Sequence, residues 1–304
     1  MCGFREWTIS MTEERRAIQS NVDYAVKNQP RSLVRRQELL TDGETVHLPC
    51  DGGELILAYE NGQQSVHWGF DSVDAMRLNF ASLWSAASSS IDRDNIDHIV
   101  MNIEQLAQRD LVIPILQQES FELFAEWIEL IHPELPDAPP EFSTGISLRR
   151  AQEEDLDIFE SIWQDSLGEL SDGLATFDYF AAEASWAGAL ELDGKVIGFA
   201  FNSLDGSPIG RVLTGAIARD HWGQGYGKGL LHAALYQLGS EGVTKAIVRL
   251  RPDITQALKT CSGLGMRHHA GGIEWRRSTD EAQIQEEIEA RRKAGVKARY
   301  GNWR

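Results

Sequence analysis

Apolar positions along the chain recur in two periods, and the points where the period changes divide the sequence into two halves of similar order. The half beginning at Ile146 is the clearer one. Residues 146–150 (ISLRR) read as a strand, and Leu156, Phe159, Ile162, Trp163 and Leu167 recur at helical spacing. A short helix is expected over Phe177–Ala184. ALEL and VIGFAF then flank Asp193-Gly194, a dipeptide suited to the tight turn of a hairpin. Residues 211–218 (RVLTGAIA) read as the next strand. Leu230, Leu231, Ala234, Leu235 and Leu238 make one helical face that stops near Gly242, and residues 246–250 (AIVRL) return as a strand. Strand, crossover helix and strand predict a parallel βαβ unit. A further helix is expected from about Ile254 to Gly263, and GMRHHAGGIEWRR supplies a last hairpin or a pair of edge strands.

The first half repeats this order. ELILAY and SVHWGF flank Asn61-Gly62, again a hairpin signal, and Val73, Met76, Phe80, Leu83, Trp84 and Ala87 mark an amphipathic helix. HIVMNI reads as a strand, PILQQE as the start of a helix and LFAEWIEL as a closing strand. The echo predicts an internal duplication. Between the halves, residues 132–145 (HPELPDAPPEFSTG) carry four prolines and end on glycine, which breaks any continuous helix or central strand. The expected division is therefore a first domain over 1–135, a linker over 136–145, a second domain over 146–277 and a charged C-terminal helix and tail over 278–304. In that tail Ile284 and Ile288 share one side of a helix that is either solvated or packed on the body or a second copy, as in a homodimer.

A length of 304 residues agrees with two cores, since one domain usually takes ~100–200 residues. Apolar residues make up 42% and charged residues 25%, a balance that supports burial rather than disorder. The net charge of −17 argues against a nucleic-acid partner, because phosphate binding needs a dense Lys/Arg surface, and against an anionic membrane surface. Three widely spaced cysteines, Cys2, Cys50 and Cys261, fit neither a disulfide framework nor a metal motif. With no signal-peptide pattern at the N-terminus and no long apolar run, the expected location is cytoplasmic.

The chemistry concentrates in residues 222–230 (WGQGYGKGL). Gly223, Gly225 and Gly227 alternate between the strand ending near Ala218 and the helix beginning near Tyr226. Residues without Cβ let the backbone approach a diphosphate, and successive N–H groups at a helix start converge on an anion, with Lys228 adding charge. The segment is neither a Walker A loop, lacking G-K-[ST], nor a dinucleotide G-x-G-x-x-G.

The segment AIARDHWGQGYGKGLLHAAL resembles the acetyl-CoA-binding motif of the GCN5-related N-acetyltransferase family, V-x-P-x-x-R-G-x-G-x-G followed by an apolar helix. The resemblance extends over about Ile146–Arg277. It implies an α+β fold of acyl-CoA N-acyltransferase type, a mixed sheet with flanking helices in two tandem domains, the first a degenerate copy without the cradle. It also implies that the backbone around Ala216, Ile217 and Ala218 pairs with a pantetheine arm, while the amides of Gly223, Gln224, Gly225, Tyr226, Gly227 and Lys228 hold a pyrophosphate. The implied activity is transfer of an acetyl group from acetyl-CoA to a small-molecule or peptide amine by direct attack. Trp222 departs from the pattern at the position of the usual Arg or Gln, and Cys261 stands where a Tyr general acid is frequent. These departures keep open the alternative of a non-catalytic acyl-CoA-binding or sensing module.

For proton transfer the candidates are Cys261 as acid, against a reading as a small buried hydrophobe, and Asp253 as base, against a reading as a helix N-cap. His268, His269 and Glu274 are further candidates for the base. His67, His98 and His132 lack metal-ligand spacing, and adjacent His268 and His269 on a strand point to opposite faces, so no metal is expected.

Overall fold

The runs of β-branched and aromatic residues form strands and the 3.6-period segments form helices in the computed structural model, which describes residues 24–28, 33–41, 43, 45–60, 63–91, 96, 98–104, 109–167, 176–204, 208–280, 282 and 284. Contacts gather these into two compact units. One comprises residues 1–124 with 273–304, the other residues 125–272.

The strands are β1 (Val26–Lys27), β2 (Val46–Cys50), β3 (Gly53–Glu60), β4 (Gln63–Phe70), β5 (His98–Glu104), β6 (Glu122–His132), β7 (Ile146–Arg150), β8 (Trp186–Leu192), β9 (Lys195–Ser203), β10 (Ile209–Ile217), β11 (Lys245–Leu250) and β12 (Arg267–Ser278). The helices are α1 (Leu33–Thr41), α2 (Val73–Ser88), α3 (Arg109–Gln118), α4 (Leu156–Leu167), α5 (Phe177–Glu183), α6 (Tyr226–Ser240) and α7 (Thr255–Ser262).

In the second unit the strands run in the order β6-β11-β10-β9-β8-β7. β8 and β9 form the expected antiparallel hairpin, and both Asp193 (φ 50) and Gly194 (φ 77) take the left-handed conformation that its two-residue turn requires. β10 lies antiparallel to β9 and parallel to β11, with α6 as the crossover. One face packs Ile197, Val212, Ile217 and Ala246 against Leu230, Ala234, Leu235 and Leu238 of α6. The other packs Phe199, Phe201 and Ala216 against Phe159, Ile162 and Trp163 of α4 and Phe177 and Phe180 of α5.

An ion pair fixes the start of α4. Arg149 forks onto the buried Asp155 carboxylate at 2.6 and 2.8 Å, and Asp155 also accepts from the Gln152 N–H at 2.7 Å. The Arg149 guanidinium holds this carboxyl below its ordinary range, against the opposing effect of burial. The folded state therefore binds that proton less readily than the unfolded chain. Its stabilisation is complete above the unfolded value and is lost as pH falls through the folded one. D155N is expected to lower stability at pH 7 by about 1.5–3 kcal/mol, with the gap to wild type closing below about pH 4. Urea unfolding at pH 7 and pH 3 measures both; a gap independent of pH would refute the assignment.

The first unit has the strand order β2-β3-β4-β5, continued beside β5 by residues 273–278 of β12. β3 and β4 pair antiparallel from Gly53↔Phe70 to Glu60↔Gln63, so the hairpin is present, while its expected turn at Asn61-Gly62 lies outside the described residues. Met76, Phe80, Trp84 and Ala87 of α2 pack on Leu55, Leu57, Trp68 and Phe70, with Ile273 and Trp275 of β12 in the same core. Hairpin, crossover helix and parallel strand thus recur: β3-β4-α2-β5 follows the plan of β9-β10-α6-β11.

Three expectations change. GMRHHAGGIEWRR is one continuous strand, not a hairpin: Gly271 does not turn but lies so close to β6 that a Cβ there would come within 3.3 Å of the Trp127 carbonyl. The compact units do not follow the boundaries drawn at 136–145 and 277, because β6 from Ala125 onward pairs with β11 of the second unit, from Ala246↔His132 to Leu250↔Ile128, while residues 273–278 complete the first. Pro114 is inside α3 rather than at its start. β1, α1 and β2 were not foreseen; α1 is clamped to the sheet by Arg36, whose guanidinium reaches the Glu54 carboxylate at 2.6 Å. Of the C-terminal helix, only Ala282 and Ile284 are described, and Ile284 is buried; Ile288 lies outside the described residues.

Candidate active site

Two features of the second unit meet at the carboxyl end of β10. The first is a separation of parallel strands. The β10–β11 ladder runs from Ile209↔Lys245 to Val212↔Val248 and stops where the register of β10 shifts between Val212 and Thr214, although β10 continues to Ile217 alongside β9 and β11 continues to Leu250 alongside β6. Ala218 N–H donates to the Ile197 carbonyl on β9. By the alternation of an antiparallel ladder, Ala216 and Ala218 therefore turn their backbone groups toward β9, while Gly215 and Ile217 turn theirs to the parted edge. There the Ile217 carbonyl accepts from Ser166 Oγ at 2.8 Å and Trp222 Nε1 at 2.6 Å. Of the trio expected to meet an incoming arm, only the Ile217 N–H is presented. Gly215, which the motif comparison missed, joins it.

The second feature is the glycine turn. Gly223 (φ 77) and Gly225 (φ 85) adopt a conformation that residues with Cβ rarely take, and a Cβ at either would project into open space. Gly225 caps α6 without a side-chain bond. Lys228 and Gly229 N–H both donate to the Gly225 carbonyl, so the Lys228 amide is used internally, and its exposed side chain is what remains for a ligand. The N–H groups of Gly223, Gln224, Gly225, Tyr226 and Gly227 donate to no protein acceptor among the described residues. A helix N-terminus with open amides and its positive dipole end is suited to a diphosphate. A groove of about 300 Å³ adjoins it, lined by Gln224, Gly225, Tyr226 and Lys228 and by Pro140–Ser143 of the connecting segment.

Trp222, half exposed, replaces the cation that a phosphate site commonly offers by an indole anchored on Ile217, with the Arg219 guanidinium 5.6 Å from its ring centre. The anchor ties the turn back to the end of β10.

The proton-transfer candidates fare differently. Cys261 of α7 is 3% exposed and packs with Leu130, Leu250 and Met266; burial pushes its thiol up to about 11. This is the environment of a packing residue. C261A is expected to cost about 1 kcal/mol of stability, and the native Cys261 thiol is expected to resist labelling by a thiol reagent at pH 8 until the unit unfolds. Fast labelling at Cys261 in the native protein, located by peptide mapping, would contradict this.

Asp253 does not cap α7, whose N-cap is Ile254. Its carboxylate binds the Arg251 guanidinium at 2.7 and 3.1 Å, and this pairing holds it below the ordinary carboxylate range. A lowered carboxyl is a weak base. His268 and His269 are exposed on the first half of β12, and Glu274 is buried in the first unit, accepting from Arg276 Nε at 2.6 Å. His67 is buried against Glu60, and His132 Nε2 lies 2.7 Å from the Leu264 carbonyl. Among the described residues no three His, Cys, Asp or Glu side chains are grouped to hold a metal ion.

The first unit has the same strand separation and closes it. Among the described residues β4 and β5 pair at Gln64↔Ile99 and Ser65↔Val100 and no further. Between the parted strands sits Asn28, fully buried, whose side-chain amide donates to the carbonyls of Val66 and Asn102 at 3.0 Å each and accepts from Trp68 N–H at 2.9 Å. Its own backbone bonds Trp68 and Glu104, and β1 pairs with the end of β4. The chain thereby satisfies the backbone groups that the second unit leaves open. The start of α2 is closed too: Ser72 Oγ accepts from Ala75 N–H at 3.1 Å, and Asp74 occupies the first turn.

The sequence of residues 148–265 matches the Acetyltransferase (GNAT) family, and this segment is a domain of that family. The fold agrees with solved members. A GCN5-related N-acetyltransferase from Sphaerobacter thermophilus is 15% identical with a TM-score of 0.56, covering 80% of this chain and 85% of its own. A tandem GNAT protein from the clavulanic acid biosynthesis pathway is 14% identical with a TM-score of 0.57, covering 90% of this chain and 96% of its own. A GCN5-related N-acetyltransferase from Kribbella flavida is 15% identical with a TM-score of 0.54, covering 80% and 94%. No curated protein matches the sequence. The chain thus has a tandem acyl-CoA N-acyltransferase-like α+β fold. No helix among the described residues is long and apolar enough to cross a membrane.

Proposed function

We propose that the second unit is an N-acetyltransferase that takes acetyl-CoA as donor and a small-molecule or peptide amine as acceptor, and that it works in the cytoplasm. The observation that carries this reading is the set of open amides from Gly223 to Gly227 at the start of α6, set beside the parted edge of β10. The amides of the turn hold the pyrophosphate, Lys228 contributes charge, and the Ile217 N–H and Gly215 backbone receive the amides of the pantetheine arm as a further strand would. Acetyl-CoA, when bound, supplies an activated acetyl group on a thioester whose sulfur departs with the bonding pair. The protein orients that group and delivers the amine uncharged. The first unit takes no donor, because Asn28 and Ser72 occupy the corresponding hydrogen-bonding positions with the chain's own groups.

Calorimetry with acetyl-CoA, followed by coenzyme A release in the presence of n-hexylamine, benzylamine, spermidine and glycinamide, tests the reading. One donor bound per chain and steady release with at least one amine are expected. Binding without release from any of them supports a sensing module instead, and two donors per chain contradict the closed first unit.

A further inference from the structure

We infer that Glu129, on the strand that crosses from the first half of the chain into the second unit, is the group that accepts the acceptor ammonium's proton. This rests on the transferase reading above. The β10–β11 ladder ends at Val212↔Val248, so Arg249 is the first residue of β11 beyond it, and Glu129 of β6 stands directly opposite Arg249.

Alternation decides the face. Leu130 and Leu250 pack with Cys261 on the side of α7, which turns their neighbours Glu129 and Arg249 to the opposite side of the sheet, the side of α4 and α5. Arg211 of β10 shares that face. Its guanidinium is 3.6 Å from a Glu129 carboxylate oxygen, an ion pair that spans β11 and draws the carboxylate toward β10, close to where the two strands part. The carboxylate side chain is 16% exposed and that of Arg211 49%, so the base is sheltered while its partner stays in water. Trp127, buried and two residues along the same face, lies under the Arg249 guanidinium at 3.7 Å and walls the spot.

The glycine turn leads into α6, which packs on one face of the sheet, and Glu129 lies on the other, so an acceptor reaching the parted strands from the α4 and α5 side meets this carboxylate. An ammonium N–H bond breaks, its pair stays on nitrogen and the proton passes to a Glu129 oxygen. The nitrogen pair forms the bond to the acetyl carbon, the C–S pair leaves on sulfur, sulfur takes up a proton, and the nitrogen sheds its second proton to solvent. With Glu129 deprotonated again, ammonium and acetyl-CoA have become amide, coenzyme A thiol and one proton. Arg211 is a positioning residue that keeps the carboxylate directed toward β10.

The test compares two nucleophiles on the full chain: the best of the four amines above, which is an ammonium ion at neutral pH, and hydroxylamine, which is already uncharged there. E129Q is expected to lower kcat/KM for the ammonium substrate by about 10²–10⁴-fold and to leave a residual rate that climbs with pH as the free amine accumulates. Turnover of hydroxylamine and affinity for acetyl-CoA are expected to stay within a few-fold of wild type. R211Q is expected to give a smaller, about tenfold loss with the ammonium substrate only, and it serves as the probe if E129Q does not fold; unchanged turnover in R211Q then counts against the inference. Equal losses with both nucleophiles, loss of acetyl-CoA affinity, or no loss at all overturns the role of Glu129 while the transferase reading survives. Wild-type protein that binds acetyl-CoA but acetylates neither nucleophile overturns the transferase reading and this inference with it.

Discussion

Replacing Gly225 by valine is expected to weaken acetyl-CoA binding by about 100-fold, equivalent to about 2.7 kcal/mol. Gly225 has φ 85 and is the N-cap of α6. A β-branched residue held there costs about 1–2 kcal/mol in the left-handed region, and the turn relieves that cost by rotating its peptide planes away from the anion. The new side chain also projects into the open space before the amides, where a Cβ at 225 meets nothing within 4 Å. Since the core face of α6, Leu230, Ala234, Leu235 and Leu238, begins a turn later, folding is expected to survive. Isothermal titration of acetyl-CoA into wild type and G225V measures the effect, with thermal unfolding as control. A dissociation constant within twofold of wild type would remove the turn from the donor site.

The largest stability effect is expected at Phe199. Its ring stacks on Phe159 at 4.9 Å and touches Phe201 at 5.1 Å and Phe177 at 6.0 Å, with no exposed surface. F199A removes the ring that joins α4, α5 and β9 and leaves a cavity that a stiff sheet cannot close, at a cost of about 3–5 kcal/mol. For a unit of this size that corresponds to a fall in Tm on the order of 10 °C. Phe199 also pairs with Ala216 at the end of β10, so loss of this support is expected to weaken acetyl-CoA binding before the unit unfolds. Urea unfolding followed by tryptophan fluorescence checks the stability term. A cost under about 1 kcal/mol would mean that the cluster collapses around the vacancy.

Both effects arise at places that local pattern could reach. The glycines of 222–230 were legible because a backbone conformation that excludes Cβ has few residue choices, and the core of α6 was legible because a 3.6-residue period is a local property. The parted strands were not legible in that sense. Whether Val248 is the last residue of β11 to pair with β10 depends on a register shift at Val212/Thr214 and on a neighbour, β6, that is more than a hundred residues away. The resemblance implies Ala216, Ile217 and Ala218 together, whereas in the ladder Ile217 is the one of the three whose backbone groups turn to the parted edge. The candidate acid and base illustrate the same limit. Cys261 and Asp253 were singled out by their place in the chain, but a thiol among Leu130, Leu250 and Met266 and a carboxylate gripped by Arg251 are decided by side chains packed in three dimensions.

The amino-acid sequence by itself determined the α+β class, the hairpins around Asp193-Gly194 and between β3 and β4, the crossover helices and the glycine turn that starts α6, because each follows from steric preferences and hydrophobic periodicity over a few consecutive residues. Only the tertiary structure decided which unit each strand completes, since a strand's hydrogen bonds can be satisfied by any edge of matching face and register. It brought Glu129 to the second unit from a segment that chain order assigned to the first, and it set Asn28 between β4 and β5. Both outcomes are long-range pairings, and no window of sequence contains the two partners at once.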